Sequence, residues 1–107
     1  FVIKKKSGIQ LLNTVDISIV IASGDFCIVI DKAGKRHTIS QNLSTTFSQL
    51  NPKKFFKINR SEIVNIDFIE NIAPHFKNRL LITIVNYSDK LMTSTSNTSE
   101  FRKWLEA

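Results

Sequence analysis

Stiff side chains dominate this sequence, and they restrict the structures that it can form. Ile, Val and Thr account for 29 of the 107 residues, and eight Phe join them. Branched and aromatic side chains lose rotamer freedom in a helix but pack well on a pleated sheet. The sequence therefore predicts a mainly β protein.

Apolar runs indicate where the strands lie. Residues 15–19 alternate apolar and polar side chains, which predicts a strand with Val15 and the isoleucines on one face. A Ser-Gly-Asp break follows, and the continuous apolar run of residues 26–30 is typical of a strand covered on both faces. Further strands are predicted at residues 2–3, 9–12, 36–40, 55–58, 69–73, 80–85 and 90–94.

A short central helix interrupts the strands. Leu43, Phe47 and Leu50 are spaced as one apolar stripe of a helix over about residues 43–50. Asn42 precedes this stripe and is predicted to cap the first turn, because a short polar side chain accepts the free N–H groups there. The residues that follow contain a proline, which ends the helix.

A second helix is predicted at the C-terminus, over about residues 98–106. Asn97 and Glu100 match a capping box, in which the first side chain caps the helix and the second reaches back. One face of this helix is apolar and should pack onto the sheets. Its side chains are Phe101, Trp104 and Leu105.

Few residues have the chemistry of a catalytic or metal centre. The only cysteine, Cys27, lies inside an apolar run and is predicted to be buried and unreactive. The two histidines have no ligand partners at metal-binding spacing, and the three glycines are isolated and form no phosphate loop. We expect no cofactor and no enzymatic activity. No apolar run approaches the roughly 20 residues of a membrane-spanning helix, so no membrane partner is expected.

Positive charge gives the first indication of a partner. Fifteen Lys and Arg oppose nine Asp and Glu, for a net charge of +6. This balance favours a polyanionic partner. Four of the cations fall within residues 53–60, where Glu62 is the nearest acid. An ordinary solvated face is the alternative interpretation of the same cluster.

Residues 55–69 have the sequence FFKINRSEIVNIDFI, which resembles the hallmark segment of the LytTR DNA-binding domain family. The family pattern is two aromatics, a basic residue, an aliphatic, a polar His- or Asn-like residue, Arg or Asn, Ser, an aromatic, two aliphatics, Asn and an aliphatic. Residues 15–30, 43–50 and 80–105 resemble the family's strand–loop–strand, short helix and closing hairpin with C-terminal helix. The resemblance implies an elongated arrangement of small antiparallel sheets in one domain over residues 1–107.

The resemblance also implies a function. LytTR domains bind double-stranded DNA sequence-specifically, by inserting loops into successive major grooves, as output domains of bacterial two-component transcription regulators. They act in pairs on direct-repeat sites, so a homodimer on DNA is expected. A receiver domain is expected N-terminal to this chain, which begins at Phe1 without a methionine and is interpreted as part of a longer cytoplasmic regulator.

Three loops are implied to contact DNA: the first loop (residues 23–26), the second loop (59–61) and the third loop (94–98). Arg60 is the leading candidate, because a guanidinium bridges guanine O6 and N7 or clamps a phosphate. Its alternative role is a surface ion pair with Glu62 or Asp67. The full candidate set is Asp25, Phe26, Lys57, Asn59, Arg60, Ser61, Ser94, Ser96 and Asn97.

The chain departs from the family pattern at two positions. Ser96 stands where many members have an arginine, and Glu62 replaces the usual aromatic. Asn97 either binds DNA or caps the C-terminal helix, and Asp25 either accepts from cytosine or caps its turn. A bidentate arginine contact provides about 1–3 kcal/mol of discrimination, so its loss predicts weaker or different sequence preference.

Two other functions are compatible with the sequence. One is a LytTR-like module that has drifted towards protein–protein interaction, with weak or no DNA specificity. The other is a membrane-surface or single-stranded nucleic-acid module, which would use the three lysines at residues 4–6 and the aromatic pair at residues 55–56. Adjacent residues of a strand point to opposite faces, so at most one of the two Phe is expected to be free.

Overall fold

The computed structural model describes all 107 residues and is built mainly from short antiparallel strands. The prediction of a mainly β fold is confirmed. The strands are β1 (Val2–Lys5), β2 (Gly8–Leu11), β3 (Ile17–Ser23), β4 (Phe26–Asp31), β5 (Arg36–Ile39), β6 (Phe55–Asn59), β7 (Glu62–Asn65), β8 (Ile69–His75), β9 (Arg79–Ile84) and β10 (Leu91–Met92). The helices are α1 (Leu43–Ser48) and α2 (Thr98–Glu106).

The strands form three sheets. β1 and β2 form a hairpin, the central sheet has the order β5-β4-β3-β7-β6, and the third sheet has the order β10-β9-β8. The molecule measures 45 × 24 × 24 Å, so it is elongated as the family resemblance implied. None of its helices has both the length and the apolar character needed to cross a bilayer.

The central sheet separates two hydrophobic cores. Val20 belongs to the core that the β1–β2 hairpin and α1 cover, and its neighbour Ile19 belongs to the core under the third sheet and α2. Both side chains are fully buried. Successive residues of β3 point to opposite faces of the sheet, so each of the two enters a different core. Burial on both faces makes the central sheet the rigid support for the loops at its ends.

The predicted strand over residues 15–19 is wrong at its start. Residues 14–16 form a single 3₁₀ turn that Asn13 caps, which leaves Val15 exposed. The strand begins at Ile17, and Ser18 is buried with its hydroxyl donating to the Ile30 carbonyl at 3.1 Å. The prediction of burial on both faces for residues 26–30 fails at Phe26, which is 48% exposed because it borders the hairpin turn.

The strand β7 was not predicted from the sequence. It lies between β3 and β6 and pairs with both. Asn65 ends β7 as a fully buried polar residue, with its Nδ2 donating to the Ile17 carbonyl at 2.8 Å. Its Oδ1 accepts the backbone N–H of Asp67 at 3.0 Å, so both ends of the amide are satisfied.

Both helices are confirmed, and one predicted cap is wrong. Asn42 caps α1, as its Oδ1 accepts the Thr45 N–H at 2.8 Å, although the helix ends at Ser48 rather than near residue 50. Asn97 does not cap α2, because a 3₁₀ turn over residues 95–97 precedes the helix and places Asn97 in helical geometry. Ser94 instead caps the 3₁₀ turn, by accepting the Asn97 N–H at 3.2 Å. β10 is also shorter than the predicted residues 90–94.

One phenylalanine of the 55–56 pair is buried and the other is half-buried. Phe55 is buried in the core that α1 covers. Phe56 points to the other face, where its ring lies 5.4 Å from Phe101 and 5.2 Å from Trp104. At most one ring, already packed against α2, is therefore left for the aromatic stacking on which a single-stranded nucleic-acid module would depend.

Candidate nucleic-acid interface

The three predicted loops meet at one end of the central sheet. The Ala22 N–H, directly before the first loop, donates to the Ser61 carbonyl of the second loop at 2.8 Å. The Ser94 N–H donates to the Ile58 carbonyl at 3.0 Å, which joins the third loop to β6. Backbone hydrogen bonds therefore hold segments that are more than 30 residues apart in one surface.

Residues of the second and third loops line an open depression of about 850 Å³ on the surface, which we call the loop depression. It brings together seven of the nine candidate residues, and Asp25 and Phe26 lie outside it, exposed at the tip of the β3–β4 hairpin. The candidate residues in its lining are Lys57, Asn59, Arg60, Ser61, Ser94, Ser96 and Asn97, and the others are Phe47, Phe56 and Glu100.

Arg60 is exposed at the turn between β6 and β7, and it takes part in none of the salt bridges of the structure. Both acids proposed as its partners are engaged elsewhere. Glu62 Oε1 accepts from Asn59 Nδ2 at 2.8 Å, and Asp67 Oδ1 lies 3.1 Å from Lys54 Nζ. The alternative of an intramolecular ion pair for Arg60 is therefore wrong, and its exposed guanidinium is available to a ligand.

Asn59 holds the second loop together and ties it to the strand before the third loop. Its Nδ2 donates to Glu62 Oε1 and to the Met92 carbonyl, each at 2.8 Å. Its Oδ1 accepts the Ser61 N–H at 2.9 Å, which closes the turn around Arg60. Because both amide hydrogens are used, donation to a phosphate would require Asn59 to break one of these bonds.

The third loop is braced from the β8–β9 hairpin. The Thr95 hydroxyl accepts from Arg79 Nε at 3.2 Å and donates to the Lys77 carbonyl at 3.3 Å. Sequence reasoning missed this brace, and no local pattern signals it, since 16 residues separate Thr95 from Arg79. Ser96 stays exposed, and the side chain of Asn97 lines the loop depression without a capping bond.

The charges of the loop depression are two cations and one anion. Lys57 and Arg60 are its basic residues, and Glu100 is its acid. Its remaining polar side chains are neutral amides and hydroxyls, which suit phosphate oxygens and base edges alike. The arrangement combines weak positive charge with many hydrogen-bonding groups.

Other chemistry receives little support. No group of three or more His, Cys, Asp or Glu side chains is placed to hold a metal ion. Cys27 is fully buried, as predicted, and burial raises the pKa of its thiol, with a hydrogen bond from the Thr46 hydroxyl as a smaller opposing effect. A buried thiol of raised pKa is a poor nucleophile.

Comparison with known families identifies the fold and its class. Residues 7–106 match the family model described as the LytTr DNA-binding domain. The chain belongs to the LytTR DNA-binding domain family. The resemblance inferred from residues 55–69 is therefore confirmed over nearly the whole chain. The LytTR domain is a DNA-binding domain and not an enzyme, as predicted.

Curated relatives of this LytTR domain are transcription regulators. It is 31% identical over 67 residues to the transcriptional regulatory protein YpdB of Escherichia coli O6:H1, an alignment that covers 63% of this chain and 27% of the relative. Against YpdB of Escherichia coli K12, the identity is 30% over 67 residues, covering 63% and 28%. The chain thus spans little more than a quarter of the length of these relatives.

A solved structure shares the fold of this LytTR domain. It is described as the LytTr DNA-binding domain of a methyl-accepting/DNA response regulator from Bacillus cereus. The TM-score is 0.87 at 23% sequence identity, and the match covers 100% of this chain and 96% of the other. This likeness confirms the LytTR arrangement of three small sheets.

Proposed function

We propose that this LytTR domain binds double-stranded DNA sequence-specifically by inserting its three loops into successive major grooves. The observation that carries the proposal is the loop depression, where side chains of the second and third loops converge around an unpaired Arg60. Residues chosen from sequence alone as DNA contacts make up most of its lining. Convergence of polar and cationic groups at one end of a rigid sheet is the arrangement that groove reading requires.

The residues have different roles in this proposal. Arg60 reads guanine through O6 and N7, since its guanidinium is exposed and unpaired. Lys57 and the hydroxyls of Ser61 and Ser94 contact phosphates and fix the register. Asn97 lies free of the capping bond that was predicted for it, and it reads a base edge beside Ser96.

The first loop is proposed as a separate contact. Asp25 and Phe26 lie at the tip of the β3–β4 hairpin and outside the loop depression, and the same hairpin bonds to Ser61 through the Ala22 N–H. Asp25 accepts no hydrogen bond within the protein and is available to a cytosine amino group. Asn59 contributes indirectly, by holding the turn that presents Arg60.

The larger context is part of the same proposal. The chain is the output domain of a cytoplasmic two-component regulator, with a receiver domain N-terminal to it, and two copies bind a direct-repeat site as a homodimer on DNA. The curated relatives are named as transcriptional regulatory proteins and are longer than this chain, which supports an additional domain in the full protein.

The test compares Arg60→Ala with Arg36→Ala. Arg36 is a matched control, because it is exposed, forms no salt bridge and lies at the opposite end of the central sheet. A preferred duplex is first selected from a randomised pool with the wild-type domain. Affinities for that duplex and for a random duplex are then measured over a salt series by fluorescence anisotropy.

We expect Arg60→Ala to weaken binding to the preferred duplex by roughly 5- to 150-fold, from about 1–3 kcal/mol of lost discrimination. Binding to the random duplex should change much less, and Arg36→Ala should match the wild type. A uniform loss on both duplexes, with a log–log salt slope smaller by about 0.9, would instead identify Arg60 as a phosphate contact.

The second candidate function is protein–protein interaction. It is favoured by the exposed apolar side chains of Val2, Ile9 and Leu11, which are 55%, 70% and 77% accessible. The β1–β2 pairing places Val2 opposite Leu11 on one face of the hairpin. Absence of duplex binding by the wild-type domain at low salt would favour this function over DNA recognition.

A further inference from the structure

Glu100 is the acidic residue in the lining of the loop depression. It belongs to the first turn of α2 and shares the lining with the cations Lys57 and Arg60. A carboxylate in a surface that meets a polyanion is unfavourable unless it has a compensating contact, because it repels every phosphate brought near it. Its presence among the proposed DNA-contacting residues therefore requires a physical reason.

Structural roles account for Glu100 only in part. Its place in the first turn of α2 favours a carboxylate through the helix dipole, but solvent screens this effect at an exposed side chain. The capping box predicted with Asn97 does not form, since the Asn97 side chain makes no capping bond. The ion pair of Glu100 with Lys103 is long, at 3.5 Å, and both side chains are about 70% exposed. Exposed pairs of this kind contribute little to stability. The carboxylate remains available to a ligand.

The chemistry of the major groove limits what this carboxylate can bind. An ionised carboxylate only accepts hydrogen bonds, so its targets are the amino groups of cytosine and adenine. Adenine presents the N7 acceptor beside its amino group, and that acceptor repels an anion. Cytosine presents its N4 amino group without an adjacent acceptor, and it is the better partner.

We propose that Glu100 is a specificity-determining residue that accepts a hydrogen bond from a cytosine N4 amino group in the major groove. The inference rests on the proposed function, because it requires the loop depression to face DNA. Where no cytosine is present, the carboxylate keeps its charge close to phosphates and weakens the complex. Glu100 thus reduces affinity for most duplexes and favours those that carry cytosine at one position.

Two variants and one control separate these effects. Glu100→Gln keeps the size of the side chain and removes its charge, and Glu100→Asp keeps the charge but shortens the reach. Glu106→Gln is the control, because Glu106 is an exposed acid at the far end of α2 that does not line the loop depression. Thermal unfolding verifies that all three variants are folded. Each is then used to select duplexes from a randomised pool.

We expect the wild type and Glu106→Gln to enrich cytosine at one position, and Glu100→Gln and Glu100→Asp to lose that enrichment. Glu100→Gln should also bind a random duplex about 2- to 10-fold more tightly than Glu106→Gln at low salt, because it lacks the repelling charge. Glu100→Asp should show no such gain.

Failure of this inference is distinguishable from failure of the proposed function. If the wild type binds no duplex at low salt, the proposed function is wrong and the role of Glu100 is wrong with it. If the wild type binds and selects a sequence, but Glu100→Gln selects the same sequence as Glu106→Gln, only the role of Glu100 is overturned. Tighter binding by Glu100→Gln without a change in base preference also overturns cytosine recognition.

Discussion

Replacing Gly34 by alanine should destabilise the domain far more than the same change at Gly24. Gly34 lies in the β4–β5 hairpin with φ +84, and a Cβ built there would stand 2.4 Å from the backbone oxygen of Asn86. Gly24 lies in the β3–β4 turn with φ +61 and has no atom within 4 Å of such a Cβ. The pair separates the cost of backbone conformation from the cost of a close contact.

The magnitudes follow from these geometries. A left-handed conformation costs alanine about 1–2 kcal/mol, partly offset by a less flexible unfolded chain, so Gly24→Ala should cost about 1 kcal/mol. At Gly34 the contact is a full ångström shorter than the 3.4 Å of ordinary packing. Relieving it moves the Asn86 peptide and breaks the bond from Asn86 Nδ2 to the Lys32 carbonyl, now 2.9 Å. Overpacking and the lost bond add about 2–4 kcal/mol.

Thermal and urea unfolding, followed by circular dichroism, measure both variants against the wild type. At about 4–8 °C per kcal/mol for a domain of this size, Gly34→Ala should unfold at least about 8 °C below Gly24→Ala. Equal unfolding temperatures for the two variants would refute the reasoning. The backbone conformation would then account for the whole loss of stability, and a Cβ at residue 34 would make no costly contact with Asn86.

Two further predictions concern buried polar groups. Asn65→Ala leaves the buried Ile17 carbonyl and the Asp67 N–H without their partner, so it should cost about 2–4 kcal/mol in urea unfolding; a loss below 1 kcal/mol would contradict this. Burial opposes ionisation of Asp31, but hydrogen bonds from His37 and from two backbone N–H groups outweigh it and hold the pKa of Asp31 below its usual value. The resulting stability is present above that usual value and is lost as pH falls through the lowered pKa, so the advantage of wild type over Asp31→Asn should shrink in acid. An advantage that is equal at pH 7 and pH 2.5 would show that the charge of Asp31 is not its source.

Elements with local causes were predictable from the sequence. The apolar stripe of α1 and its Asn42 cap depend on residues within two turns of each other, and the β1–β2, β3–β4 and β4–β5 hairpins each carry a glycine at the turn. The strand β7 was missed because it has only four residues and has a polar residue at each end, Glu62 and Asn65. It is a strand only because β3 and β6 supply partners on both sides, which no local pattern shows.

The candidate site also contains some features that the local sequence predicts and others that depend on distant residues. The residue types around Arg60 predicted an exposed basic turn, and the structure places Arg60 there without an ion pair. The cap of α2 was misassigned, because a 3₁₀ turn that Ser94 caps precedes the helix and places Asn97 in helical geometry. The role of Asn59 could not be predicted, since its bond to the Met92 carbonyl joins residues 33 positions apart.

The amide side chain of Asn59 closes the turn that carries Arg60. It also donates a hydrogen bond to the Met92 carbonyl, in the strand that leads into the third loop. A substitution that displaces Met92 therefore disturbs the presentation of Arg60, and the reverse holds as well. The second and third loops are therefore mechanically coupled, because this one amide transmits a shift of either loop to the other.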